Sequence, residues 1–374
     1  MSIRRVAVIG AGIVGAAVAR AFASAGVAVT VVEAARPGSG TSAASLAWVN
    51  SNRKPPRGYH DFSVRAMREW RMLAADFGRP DWYVATGSVA WAGSDVERAE
   101  LAARVARLGD WGYPADTITA ADLRHLEPQL RVPEGAGVAY FPGEAFVHTD
   151  RAVDALVDDA RAHGADVVSG VGAAVLESTG TRVTALRLPD GRRIQADAYV
   201  CCAGWRTPHL LAPLGVGIPL VPGDTADSTA PGLVARIGVP RTLLGRVAHA
   251  PDLSLRPART GGLRVDADDI NRRVHAGTPP ADLERYGREL ATRARRIVPG
   301  LPADAPVRTS LCIRPLPVDG MPIVGWLPPA GNAYVVVCHS GVTLAPLLAR
   351  LVHADVTGGP RADLDPYRID RFGL

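Results

Sequence analysis

Apolar and polar positions change period several times along the 374 residues. Residues 6–9 (VAVI) form an unbroken apolar run, the pattern of a strand buried on both faces of a parallel sheet. Helical spacing then runs through residues 16–25 and stops at Gly26, and residues 27–32 predict a second buried strand that ends in Glu33. Helical spacing resumes near Ser63 and passes through Trp70 and Phe77; WYVATGSVAWAG reads as strand and turn, and a charged helix is predicted over 95–108. Proline and glycine crowd residues 128–143, which read as a boundary. An amphipathic helix opens at Thr149 and stops at Gly164. DVVSG, AAVLES, RVTALRLP and RIQADAYVCCAG then predict a small sheet, with a turn at Asp190 and Gly191, returning to the first unit. Residues 221–308 are loosely β-patterned around one helix, 280–297, and the chain closes on a strand, AYVVV, and a helix after Gly341. No internal repeat or low-complexity tract interrupts this order.

The first strand and helix are joined by Gly10, Gly12 and Gly15, a GxGxxG turn. Its first glycine permits the tight turn, the second lets a pyrophosphate approach the backbone, and the third lets the helix pack on the sheet. The free N–H groups of the helix start suit phosphates. Glu33 stands where a carboxylate accepts the hydroxyls of an adenosine ribose, and it would repel a 2′-phosphate, which leaves NAD or FAD. ARPGSGTSAAS after Glu33 is small and flexible enough to pass over a dinucleotide, although a plain linker has the same composition. LAWVNSNRKPPRGYHDF gathers amides, Arg53, Lys54, Tyr59 and His60 around two prolines, which is unusual for an idle loop.

The length calls for two intertwined domains, and 47% hydrophobic with 21% charged residues describes a globular chain. No apolar run is long enough to span a bilayer and a strand begins at once, so a cytoplasmic protein without a signal peptide is expected. The formal charge is +5, yet Lys54 is the only lysine and the arginines are scattered among acids, which excludes a nucleic-acid face and leaves a mildly basic surface suited to anionic substrates. Of four cysteines, Cys201 and Cys202 are adjacent and the set has no zinc-like spacing, so a reducing compartment and no metal are expected.

Four blocks stand in order: GAGIVG with Glu33, VCCAGW at 200–205, CIRPLPVDGMPIVG at 312–325, and VCHSGVTLAP at 337–346. Together they resemble the D-amino-acid oxidase, glycine oxidase and sarcosine oxidase superfamily of FAD-dependent amine oxidoreductases. The resemblance implies a two-domain α/β chain: a Rossmann-like FAD-binding domain over 1–75, 144–220 and 309–374, and an antiparallel-sheet substrate domain over 76–143 and 221–308. It implies FAD contacts from Gly10, Gly12, Ile13, Val14, Gly15, Glu33 and Ala34, from Thr41, Ser42, Ala44 and Ser45, from Val175, and from Ala203, Gly204 and Trp205. Arg314, His339, Ser340, Gly341, Val342 and Thr343 complete that set, the last helix aiming its positive end at the flavin edge that becomes negative on reduction.

By the same resemblance Arg314 holds the substrate carboxylate, for which guanidinium geometry is suited; the competing reading pairs it with Asp319. Arg314 and His339 are the catalytic expectations, and Asn50 and Arg53 join Arg314 in substrate binding, with Trp48, Asn52, Tyr59 and Arg256 as further candidates. His339 reads equally as a packing residue. Sarcosine oxidases link flavin through a cysteine near Cys312, whereas a buried thiol is also an ordinary small hydrophobe, so FAD is expected non-covalently, with a Cys312 link as the alternative. Those oxidases also use a substrate-domain lysine to activate dioxygen; this chain has none there, and Lys54 either substitutes or is exposed. The implied reaction is hydride transfer from the amine-bearing carbon of an amino acid or N-substituted glycine to FAD, then imine hydrolysis and reoxidation by dioxygen to hydrogen peroxide. The alternatives are a dehydrogenase serving a quinone or protein acceptor, and a non-catalytic flavoprotein scaffold.

Overall fold

The computed structural model describes residues 3–225, 227–328 and 330–373. Strand Arg5–Ile9 lies inside a six-stranded sheet, flanked by parallel strands Ala28–Glu33 and Ala198–Cys201. Asp166–Ser169 extends that sheet on one side, and Ala330–Val337 with the antiparallel edge strand Ile323–Leu327 on the other. Val6 and Val8 pack into the cluster formed by helices Ile13–Ser24, Thr149–Ala162 and Gly341–Val356, while Ala7 and Ile9 face a second cluster with Leu176, Val183 and Leu186. Burial on both faces explains why the run is continuous rather than alternating.

The second large sheet has eight strands, in the order Val307–Ile313, Pro231–Ile237, Leu263–Asp266, Leu253–Pro257, Val247–Ala250, Ser88–Ala92, Gly137–Phe141 and Asp116–Ile118. Its pairs are antiparallel except for the parallel join of Val247–Ala250 with Ser88–Ala92. Alternation decides its two faces. Leu233, Ala235, Leu255, Leu263 and Val265 turn towards Leu290, Ala291 and Ala294 of helix Pro280–Ile297, which leaves the opposite face for the six-stranded unit and the space between them.

Several sequence expectations shift. Within residues 128–143, strand Gly137–Phe141 pairs in the eight-stranded sheet, and strand Ala145–Val147 just beyond belongs to a separate three-stranded sheet. DVVSG joins the six-stranded sheet instead of the small one: helix Thr149–Ala162 supplies the crossover that a parallel neighbour of Ala28–Glu33 requires. The helix expected from Ser63 starts at Arg57 behind Pro56, its first turns disguised by His60 and Ser63, polar residues that are nonetheless buried. Strand Val307–Ile313 belongs wholly to the eight-stranded sheet, although the resemblance drew a division at 308. No described helix is long and apolar enough to cross a membrane.

Candidate active site

A cleft of about 570 Å³ runs along the carboxyl end of the six-stranded sheet, the usual position for a ligand in an open parallel sheet. Gly10 has φ +99°, and a Cβ there would lie 2.6 Å from the Cys202 carbonyl oxygen; a Cβ on Gly15 would lie 1.9 Å from that of Gly10. Neither position admits a side chain. A Cβ on Gly12 would meet only the Ser42 hydroxyl, at 3.3 Å, so its backbone remains open to the cleft. Glu33 is fixed by the N–H groups of Ala11, 2.8 Å from one carboxylate oxygen, and Ala35, 2.9 Å from the other. The first helix has no cap of its own, and Ile13 N–H donates to the Ser42 hydroxyl at 3.0 Å. This open backbone cradle and the Glu33 carboxylate beside it fit the ADP half of FAD.

Residues 41–46 are bound to the eight-stranded sheet. The Thr41 hydroxyl donates to the Ile313 carbonyl at 2.8 Å and the Cys312 thiol to the Ala44 carbonyl at 3.1 Å. Arg264 donates to the carbonyls of Ala43 and Ser45, and Arg256 to that of Leu46. Past this segment a second cleft, about 470 Å³, opens between the sheets; Thr41, Ser45, His339 and Val342 line both. Both volumes fall in the range of small-molecule and cofactor sites.

The expected residues divide between the two clefts. Gly10, Gly12, Ile13, Val14, Glu33, Ala34, Thr41, Ser42, Ser45, Ala203, Gly204, Trp205, His339, Gly341 and Val342 line the first, and Ala44, Asn50, Arg53, Cys312, Arg314, Ser340 and Thr343 line the second. Val175 does not reach: Gly170 and Gly172 donate to the carbonyls of Ala35 and Ala34, so the chain passes closest at Ala173, and Val175 is exposed on strand Val175–Thr179. Arg256 is fully buried, with its donors spent on the carbonyls of Leu46, Val147 and Pro257, and supports the fold instead of meeting a substrate.

Arg314 does not pair with Asp319, which Arg371 takes at 2.8 Å. Its Nη2 donates to the carbonyls of Thr229 and Pro231 at 2.7 and 2.8 Å and its Nε to Ala230, leaving Nη1 uncommitted. No carboxylate lies within ion-pair distance of it among the described residues. His339 stands exposed at the joint of the two clefts, near Arg314 and Lys54; the protein crowding around it and those charges push its imidazole down to about 4, so it is neutral at pH 7. Burial pushes the Cys312 thiol up to about 11, the opposite of the thiolate that a flavin linkage requires.

Lys54 is buried, not exposed, and its ammonium nitrogen has no hydrogen-bond partner among the described residues. Burial pushes its pKa down to about 7 against the pull of Glu144. Glu144 is a residue the sequence did not reveal, because it stands in a proline- and glycine-rich turn. Fully enclosed, it accepts from Trp48 Nε1 at 2.7 Å, Asn52 Nδ2 at 2.9 Å, the Tyr113 hydroxyl at 2.7 Å and the Ser88 hydroxyl, and so holds the segment around Lys54 in place. Asp266 and His249 in the second cleft were also missed, although the alternation in LRVD and VAHA puts each on the face opposite the core.

A cradle for a dinucleotide, continuous with a chamber lined by Arg53 and Arg314, defines a flavin-dependent oxidoreductase. The chain belongs to the DAO family of FAD dependent oxidoreductases, whose model matches residues 5–354. Glycine oxidase of Pseudomonas aeruginosa is 26% identical over 97% of both chains. A D-amino acid dehydrogenase of Methylobacterium radiotolerans is 26% identical over 71% of this chain, and the match spans 62% of that relative's length. Among solved structures, glycine oxidase from Geobacillus kaustophilus shares the fold with a TM-score of 0.82, at 24% identity over 98% of this chain and 99% of that one. The expectation of an FAD-dependent enzyme from this superfamily therefore holds, and NAD falls away.

Proposed function

We propose that the protein oxidises an amino acid or N-substituted glycine at the amine-bearing carbon and passes the electrons to dioxygen, giving an imine, which water hydrolyses, and hydrogen peroxide. The observation that carries this reading is Arg314, a guanidinium in the second cleft with no carboxylate within ion-pair distance among the described residues. A half-buried arginine held open in this way suits a substrate carboxylate, which aligns the neighbouring carbon with the joint at His339. Bound FAD supplies the acceptor for a hydride from that carbon. Arg53, exposed at the cleft and without an ion-pair partner among the described residues, draws anions inward, and neutral His339 orients without exchanging protons at neutral pH. Lys54 supports dioxygen as the acceptor: the residue lines the chamber, its enclosed amine has no hydrogen-bond partner among the described residues, and its cationic form favours the negative charge that oxygen gains.

The test is an anaerobic screen of amino acids and N-alkyl glycines against the FAD-loaded protein. Bleaching of the flavin by at least one amine, with peroxide on admitting air, is the expected result. Bleaching without peroxide would replace this reading with the dehydrogenase reading, which the D-amino acid dehydrogenase relative favours. If no amine bleached the flavin, the non-catalytic reading would stand instead.

A further inference from the structure

The floor of the second cleft is a row of residues across the eight-stranded sheet: Cys312, Gly232 and Val234, Asp266, Ser254 and His249. Register makes the row continuous. Cys312 stands opposite Gly232, and Ser254 opposite both Asp266 and His249. Ser254 and His249 are joined at 2.9 Å, and the thiol is engaged with Ala44. Asp266 is the one carboxylate in the row. Among the described residues it has neither a hydrogen-bond partner nor a cation within ion-pair distance, despite four cleft neighbours able to interact with its charge.

Those neighbours are Asp268, just beyond its own strand, Arg314, Arg53 from the loop across the cleft, and the Cys312 thiol. Loss of water and Asp268 push the Asp266 carboxyl up, the two arginines pull it down, and the balance is about 7. A carboxylate left unpaired in such a place is costly unless something arrives to neutralise it. Bare Gly232, with Arg314 Nε and Cys312 Sγ each 3.6 Å from where its Cβ would be, keeps the floor open beside the guanidinium.

We propose that Asp266 is the ammonium site of this enzyme: it binds the charged amine of the substrate whose carboxylate Arg314 holds, and accepts one proton from that nitrogen before oxidation. This rests on the amine-oxidising reading above and adds what that reading left unassigned. The step is a proton transfer only. One N–H bond breaks, one O–H bond forms on the carboxylate, the nitrogen keeps the electron pair, and no oxidant or reductant is needed. That pair must be free before the adjacent carbon can give up a hydride, and a carboxyl near neutrality takes the proton less unfavourably than one at 3.8. The site selects substrates carrying a cationic amine beside a carboxylate over hydroxy acids of the same shape.

The test is calorimetric titration of the FAD-loaded protein, reduced with dithionite and kept anaerobic at pH 8.5 so that no turnover intervenes. Glycine, N-methylglycine and D-alanine are compared with acetate for the first two and propionate for the third. The intact protein should bind at least one amine tenfold or more tightly than its deaminated partner. Asp266→Asn should reduce that preference to twofold or less while leaving carboxylate affinity within twofold, and Asp266→Glu should restore part of it. The assignment is overturned if the intact protein shows no preference, or if Asp266→Asn keeps it. Its fate is separable from that of the redox reading: an unchanged amine preference in a variant of an enzyme whose flavin still bleaches removes Asp266 alone, whereas preference without bleaching removes the redox reading alone.

Discussion

Replacing Lys54 with methionine should make the protein more stable, and by an amount that depends on pH. An unfolded chain holds this lysine at its ordinary pKa of 10.5, while the folded chain lowers it to about 7. Between those values the unfolded state binds the extra proton, so folding is progressively penalised as pH falls from 10.5 to 7, and the full penalty applies below 7. At 1.36 kcal/mol per pH unit the gap corresponds to about 5 kcal/mol in total, of which about 4 is present at pH 7 and about 2 at pH 9. Methionine matches the lysine stem in length and removes the ionisable group. Urea unfolding of Lys54→Met and the parent, both loaded with FAD, at pH 6.5, 8 and 10 would measure this: the gain should be largest at pH 6.5 and fall to about 1 kcal/mol at 10. A variant less stable at every pH, or a gain that does not change with pH, would show that Lys54 is not held in the enclosed state described above.

Gly15→Ala should fold poorly or lose bound flavin absorbance, since the added carbon would press on the Gly10 carbonyl that shapes the cradle. Arg314→Ala should keep its flavin spectrum while KM for the substrate rises about 10- to 100-fold, the equivalent of roughly 1.5–3 kcal/mol for a charge-assisted contact, and Arg314→Lys should recover only part of that loss. Glu144→Gln should cost about 2–4 kcal/mol in urea unfolding, because an amide cannot accept all four donors that converge on the carboxylate, and an unchanged midpoint would refute that role.

The nucleotide half of the molecule was legible because its determinants are local. Gly10, Gly15 and Glu33 act within one strand–helix–strand unit, where spacing alone fixes geometry. The second cleft was not, because its chemistry comes from strands far apart in the chain. Asp266 and His249 each occupy the polar phase of an alternating strand, which indicates a face without saying what that face meets. Glu144 lies in a turn whose composition resembles a linker, and only the fold brings Ser88, Tyr113 and Trp48 around it. Val175 was misplaced because a carry-over of two residues cannot be detected where Gly170 and Gly172 set the path.

The segment 41–46 serves both halves at once, since Ser42 closes the first helix while its neighbours are tied to Ile313, Cys312, Arg264 and Arg256. It cannot swing aside as a hinged flap without shearing those ties and stripping the helix start of its cap. Loss of the dinucleotide should therefore loosen the eight-stranded sheet together with the cradle itself.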